Sequence, residues 1–236
     1  MTALLIAAHG DGSDSESNQW AQDISRQAAQ LGGFAESGVG FQKGEPGFDE
    51  ALDWLSESEV VVVPLMASAG YYASVVLPRE LARNATYGEK RLRITEPIGI
   101  LPEFRRLAES RTRDVLRERD WDVAKTTIVV VGHGTRRHKQ SRLSTIALQD
   151  FLAARLRRAQ VLAAFLDEDP GPEEALNQAL NPQILVLPFL MGAGTHATKD
   201  LPRRFGARPV HIDQPLGTLP GIEHLILQSA FPGVAL

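Results

Sequence analysis

The chain has 236 residues, with 25 basic and 29 acidic side chains for a net charge of −4, 43% apolar residues and no cysteine. This is the composition of a folded globular protein, and its net acidity is a poor basis for general nucleic-acid binding. The lack of cysteine excludes disulfides, thiolate metal sites, iron–sulfur clusters and cysteine nucleophiles, so metal chemistry falls to His, Asp or Glu.

Residues 3–8 form an apolar run with no basic segment before it, ended by His9 and Asp11. It reads as a buried strand rather than a secretory leader. An amphipathic helix is predicted over 18–31, with further strands at 38–42 and 60–66. Residues 60–78 carry no charge, but Pro64, Ser68, Gly70 and Ser74 break the run. It reads as a strand and loop, since a membrane helix needs about 20 predominantly apolar residues. The expectation is a soluble, cytoplasmic protein with neither membrane nor nucleic-acid partners. A strand at 92–98 and a helix over 104–119 complete the first half. The second half repeats the alternation, with strands at 127–132, 160–166, 184–191 and 209–212 and helices over 141–158 and 173–180. Continuous Val, Ile and Leu runs such as 60–63 and 128–131 suit strands buried on both faces of a parallel sheet. Strand–helix alternation implies right-handed βαβ units.

The two halves are copies. His9-Gly10, Phe41, Pro46-Gly47, Glu50-Ala51-Leu52, Pro64, Ala69-Gly70 and Leu77-Pro78-Arg79 all recur 124 residues later, from His133-Gly134 to Leu201-Pro202-Arg203. Beyond them the offset falls to 118, where Pro97-Ile98-Gly99 answers Pro215-Leu216-Gly217. The predicted fold is α/β: two tandem, doubly wound parallel-sheet domains related by internal duplication, residues 1–124 and 125–236, joined near 122–126. Ligands of such domains bind at the carboxyl ends of the strands.

That rule selects the loops after the first and third strands of each copy. In the second copy these carry His133 and His196, at the same edge of one sheet. Two imidazoles facing one site can ligate a divalent metal or exchange protons near neutral pH. The plainer alternative is that each caps a strand and makes a local hydrogen bond. Asp167, after the second strand, is a third candidate, although the acidic run 167–169 also suits a solvated turn. The first copy has His9, Lys43 and Tyr72 at the corresponding places, so its site is degenerate and His9 is at most an additional participant. The loops differ in charge as well. Asp11, Asp14 and Glu16 follow His9, whereas Arg136, Arg137, Lys139 and Arg142 follow His133. Cations are disfavoured near a helix N-terminus, so Arg136, Arg137 and Lys139 point to an anionic substrate, a polycarboxylate or a phosphorylated molecule. The net charge is −7 over residues 1–124 and +3 over 125–236.

The run Val129-Val130-Val131-Gly132-His133-Gly134, the segment Phe165-Leu166-Asp167, and the residues 186–190 and 193–202 with His196 together resemble the class II tetrapyrrole chelatases. These are the CbiX-type sirohydrochlorin cobaltochelatases and ferrochelatases. The Pro-Ile-Gly element at 97–99 and Pro-Leu-Gly at 215–217 are similar to that family's last strand. The likeness covers nearly the whole chain. It implies a lyase that inserts a divalent metal into sirohydrochlorin, for cobalamin or siroheme synthesis. On this resemblance His133 and His196 are catalytic, both ligate the metal together with Asp167, and Arg136, Arg137 and Lys139 bind the substrate carboxylates. Co²⁺ or Fe²⁺, with Ni²⁺ also chemically suitable, is then a substrate, and no organic cofactor is expected. A tandem pair supplies both halves, so the expected state is a monomer of pseudo-twofold halves or a weak homo-oligomer. A histidine phosphatase is disfavoured, because its nucleophilic His follows an Arg, where this chain has Ala8 and Gly132. The alternative of another class is a non-catalytic metal or tetrapyrrole carrier that kept the chelatase fold.

Overall fold

The computed structural model describes residues 1–12, 15–83, 87–135, 138–206 and 208–233. In chain order the first copy contains β1 (Thr2–Ala8), α1 (Ser15–Gly32), β2 (Glu36–Phe41), α2 (Phe48–Asp53), β3 (Glu59–Leu65), α3 (Leu77–Leu81), β4 (Arg91–Ile94) and α4 (Pro102–Glu118). The second copy repeats this as β5 (Thr126–Gly132), α5 (Lys139–Arg155), β6 (Gln160–Phe165), α6 (Pro172–Gln178), β7 (Gln183–Phe189), α7 (Leu201–Phe205), β8 (His211–Ile212) and α8 (Ile222–Ala230). Each copy builds a four-stranded sheet, ordered β2-β1-β3-β4 and β6-β5-β7-β8. Every pairing is parallel. The central strands are buried beyond their first residues, and β5 along its whole length, with Ile128 to Val131 fully enclosed. No helix of the described residues is long and apolar enough to cross a membrane.

The compact units differ from the sequence copies. One comprises Met1–Leu101 with Pro220–Leu236, and the other Pro102–Leu219. The last helix of each copy therefore belongs to the unit built by the other copy's sheet, and the segment 122–126, expected to join two domains, lies inside the second unit. Side-chain chemistry accounts for the exchange. On α4, Phe104, Ala108, Thr112, Val115 and Leu116 are buried, and the Phe104 ring lies 5.4 Å from that of Phe189. Arg111 makes a two-pronged pair with Asp213, donating from Nε at 2.8 Å and Nη2 at 2.7 Å. On α8, Leu227 occupies the space beside Gly32, where a Cβ would come within 2.5 Å of its Cδ2. Arg93 donates to the Ala230 carbonyl, Ser229 Oγ donates to Thr95 Oγ1 at 2.7 Å, and Phe231 stacks on Phe34 at 5.1 Å.

The fourth strands are shorter than the patterning predicts, and the Pro-x-Gly elements are not strands. Residues Ile98–Ile100 and Leu216–Thr218 form 3₁₀ turns. Proline has no N–H to donate to a ladder. The following glycine instead turns inward: Gly99 N donates to Met66 O at 3.0 Å, and a Cβ there would lie 2.5 Å from Ala67 Cα. Helix α8 turns an apolar stripe of Ile222, Leu225, Ile226, Leu227 and Ala230 into the interior and leaves His224 exposed.

Candidate metal-handling site

The second unit assembles its site by register. Gly132, the last residue of β5, pairs with Phe165 of β6 and Phe189 of β7. Whatever follows those three strands must meet at one sheet edge, and His133 follows Gly132 directly. The next residue, Gly134, has φ 70°. A Cβ there would lie 2.8 Å from both Phe165 Cβ and Glu168 Cγ, so only glycine accepts both the conformation and the approach. The turn is pinned by the amides of Leu166 and Asp167, each donating to the His133 carbonyl at 3.0 Å.

The second imidazole comes from the chain after β7. Residues His196–Asp200 form a π-helical turn, closed by Leu201 N donating to the His196 carbonyl, before α7 begins. Single π turns are rare and recur at functional sites. Arg204 of α7 then donates to Glu173 of α6 at 2.8 Å, which anchors the segment from its far end. That hydrogen bond outweighs the opposing effect of burial and holds the Glu173 carboxyl below the usual carboxylate range.

The His133 and His196 rings lie 5.0 Å apart between centroids, edge to face at 82°. His133 Nδ1 donates to the Gly134 carbonyl at 3.0 Å and stands 3.3 Å from Asp167 Oδ2. His196 Nδ1 donates to Asp200 Oδ2 at 2.9 Å. A carbonyl can only accept, so Nδ1 of His133 carries the hydrogen and, in the neutral ring, Nε2 carries the lone pair. Both rings are about half exposed, at 44% and 53%, and open to an incoming ion. Asp167 thus joins the pair on the Nδ1 side of His133. Among the described residues, no group of three or more His, Asp or Glu side chains forms a ready metal cage.

The basic loop is placed in part. Lys139 is exposed at the first position of α5, while Arg136 and Arg137 lie outside the described residues. Arg142 braces the neighbouring loop: its guanidinium sits 4.7 Å from the Phe165 ring centre and donates to the Asp169 carbonyl at 2.7 Å.

The first unit keeps the scaffold and changes the chemistry. His9 follows β1, Gly10 has φ 72°, and His9 Nδ1 donates to the Gly10 carbonyl at 2.9 Å. Its ring meets Tyr72 at 5.2 Å and 86°. Tyr72 opens a matching π-helical turn, Tyr72–Val76, so Tyr72 stands where the second unit has His196 and Val76 stands where it has Asp200. Sequence reasoning assigned Asp200 no role. The available signal was the His196-x-x-x-Asp200 spacing, lost together with the histidine in the first copy.

Comparison with known proteins agrees with this architecture. The family model described as CbiX matches twice, over residues 3–115 and 127–231. A probable sirohydrochlorin cobaltochelatase of Halobacterium salinarum is 29% identical over 223 residues, covering 86% of this chain and 76% of that one. The structure of CbiX, the terminal enzyme for siroheme biosynthesis in denitrifying bacteria, matches with a TM-score of 0.81 at 22% identity, over 98% of this chain and 99% of that one. A multi-domain protein of Deinococcus radiodurans with structural similarity to chelatases gives 0.81 at 24% identity. The whole chain is covered there and spans 56% of that protein. The structural likeness carries the fold, and the double match, one for each half, carries the family: this chain belongs to the CbiX family.

Proposed function

We propose that the protein is a chelatase that inserts a divalent metal, Co²⁺ or Fe²⁺, into sirohydrochlorin. The observation that carries this reading is the edge-to-face pair of His133 and His196, with both Nδ1 atoms engaged by oxygen acceptors and both rings half exposed. Insertion requires a metal presented to the ring face and removal of two pyrrole N–H protons. The Nε2 atoms of the pair supply both in sequence: as ligands they would hold the ion, and as it passes to the pyrrole nitrogens each freed Nε2 lone pair would take one of the two N–H protons. Asp167 supports His133 through its Nδ1 side and completes the coordination if its carboxylate swings toward the ion. The substrate is a polycarboxylate, which matches Arg136, Arg137 and Lys139 and the net charge of +3 on the second copy. Arginine binds carboxylates through two parallel hydrogen bonds.

The relative from Halobacterium is named for cobalt and the denitrifier's enzyme for siroheme. Imidazole accepts Co²⁺, Ni²⁺ and Fe²⁺ alike, and supply governs selection. The protein is mixed with sirohydrochlorin and Co²⁺ or Fe²⁺, and the visible spectrum is followed against a metal-only control. The expected result is accelerated metallation by one or both ions. It should fall by about 10² or more in His133→Ala and in His196→Ala, the typical scale for losing a positioned acid–base group, and little in His9→Ala. Binding of metal or tetrapyrrole without acceleration by either ion would identify a carrier instead.

A further inference from the structure

The two imidazoles of the second unit are held differently. His133 Nδ1 faces a backbone carbonyl at 3.0 Å, with a carboxylate farther off at 3.3 Å. His196 Nδ1 faces the carboxylate of Asp200 at 2.9 Å. That carboxylate is placed by the backbone: His196 and Asp200 are the first and last residues of one π-helical turn, four positions apart. The turn therefore delivers a histidine together with its acceptor. The first unit supplies an internal comparison. Its own π turn, Tyr72–Val76, keeps the backbone and the edge-to-face ring contact with His9. There the ring at the head of the turn is a phenol, with no Nδ1 to hold, and the residue at its end is Val76, with no carboxylate. Histidine and acid are present together in one copy and replaced together in the other, on the same backbone.

We infer that Asp200 is the positioning residue of the site. It keeps the proton of His196 on Nδ1, fixes the ring plane and leaves Nε2 as the nitrogen that meets the metal. A carboxylate on the far nitrogen also makes an imidazole a stronger donor, the arrangement by which ligating histidines are commonly supported. Asp200 need not touch metal or macrocycle to act. The inference rests on the proposed use of His196 as a metal ligand, so its test reads metal binding and ring protonation separately from turnover.

In the ¹⁵N-labelled, metal-free full-length protein, long-range ¹H–¹⁵N spectra are expected to show His196 protonated at Nδ1 and unprotonated at Nε2. Co²⁺ affinity is measured from its visible absorption bands. Asp200→Ala is expected to weaken it by about 10- to 100-fold, the usual loss for removing such an outer partner. Asp200→Asn, whose amide oxygen accepts the same hydrogen bond, is expected to recover most of that loss. This rescue separates positioning from a general structural effect, because both variants discard the charge and only one discards the acceptor. An Nε2-protonated His196, or Co²⁺ affinity unchanged in Asp200→Ala, overturns the inference, as does a parent protein that binds no Co²⁺. A parent that binds Co²⁺ in this pattern and does not metallate sirohydrochlorin leaves the role of Asp200 standing and removes the chelatase reading.

Discussion

Gly134 joins local conformation to site chemistry most directly. With φ 70° and two atoms 2.8 Å from where a Cβ would stand, it lets the chain turn so that the His133 side chain and the loop after β6 share one corner. Gly134→Ala forces a non-glycine residue into the left-handed region and drives its methyl into Phe165 and Glu168. The conformational strain alone is of order 1–2 kcal/mol, and the steric conflict adds to it. Urea denaturation should show that destabilisation, and Co²⁺ binding should weaken as His133 is displaced from His196. Gly10 has φ 72° in the first unit, so the same turn was retained where the His pair was not.

At the scale of elements, the exchanged helix α4 is fastened by Glu109. Its side chain is only 9% exposed; it accepts from Arg113 on its own helix at 2.9 Å and from Arg155 of α5 at 3.0 Å. Burial opposes the charged form, but the two guanidinium partners outweigh it and hold the Glu109 carboxyl below the usual carboxylate range. The sign of the pH dependence follows. A depressed folded-state pKa contributes stability that is fully present above the unfolded value, and that contribution is lost as pH falls through the folded pKa. Glu109→Gln should therefore reduce stability at pH 7 by about 1–2 kcal/mol, since hydrogen bonds to charged groups weaken while both exposed arginines regain water. The difference from the parent should shrink below about pH 4, as thermal unfolding across pH 3–7 would show. An equal deficit at every pH would assign the role of Glu109 to packing alone.

Across the whole molecule, each compact unit is completed by the last helix of the other copy. Ile226 of α8 is fully buried in the unit that contains β1 and β3. Ile226→Ala leaves a cavity and should cost about 2–4 kcal/mol. Hydrogen exchange should accelerate more in β1 and β3 than in β5 and β7, although residue 226 belongs by sequence to the copy that forms β5 and β7. The reverse pattern would mean that α8 stabilises the sheet of its own copy. The sequence alone determined the duplication, the parallel α/β class and the candidates His133, Asp167 and His196, because those properties are written in periodicities and spacings that local chemistry enforces. Buried strands read as apolar runs, and strand ends name the residues that reach the sheet edge. Tertiary structure alone decided that the final helices change places, that the Pro-x-Gly elements turn rather than pair, and that Asp200 faces Nδ1 of His196. These outcomes depend on which buried surface fits which partner and on a π turn whose hydrogen bond spans five residues, and neither quantity has a period in the sequence.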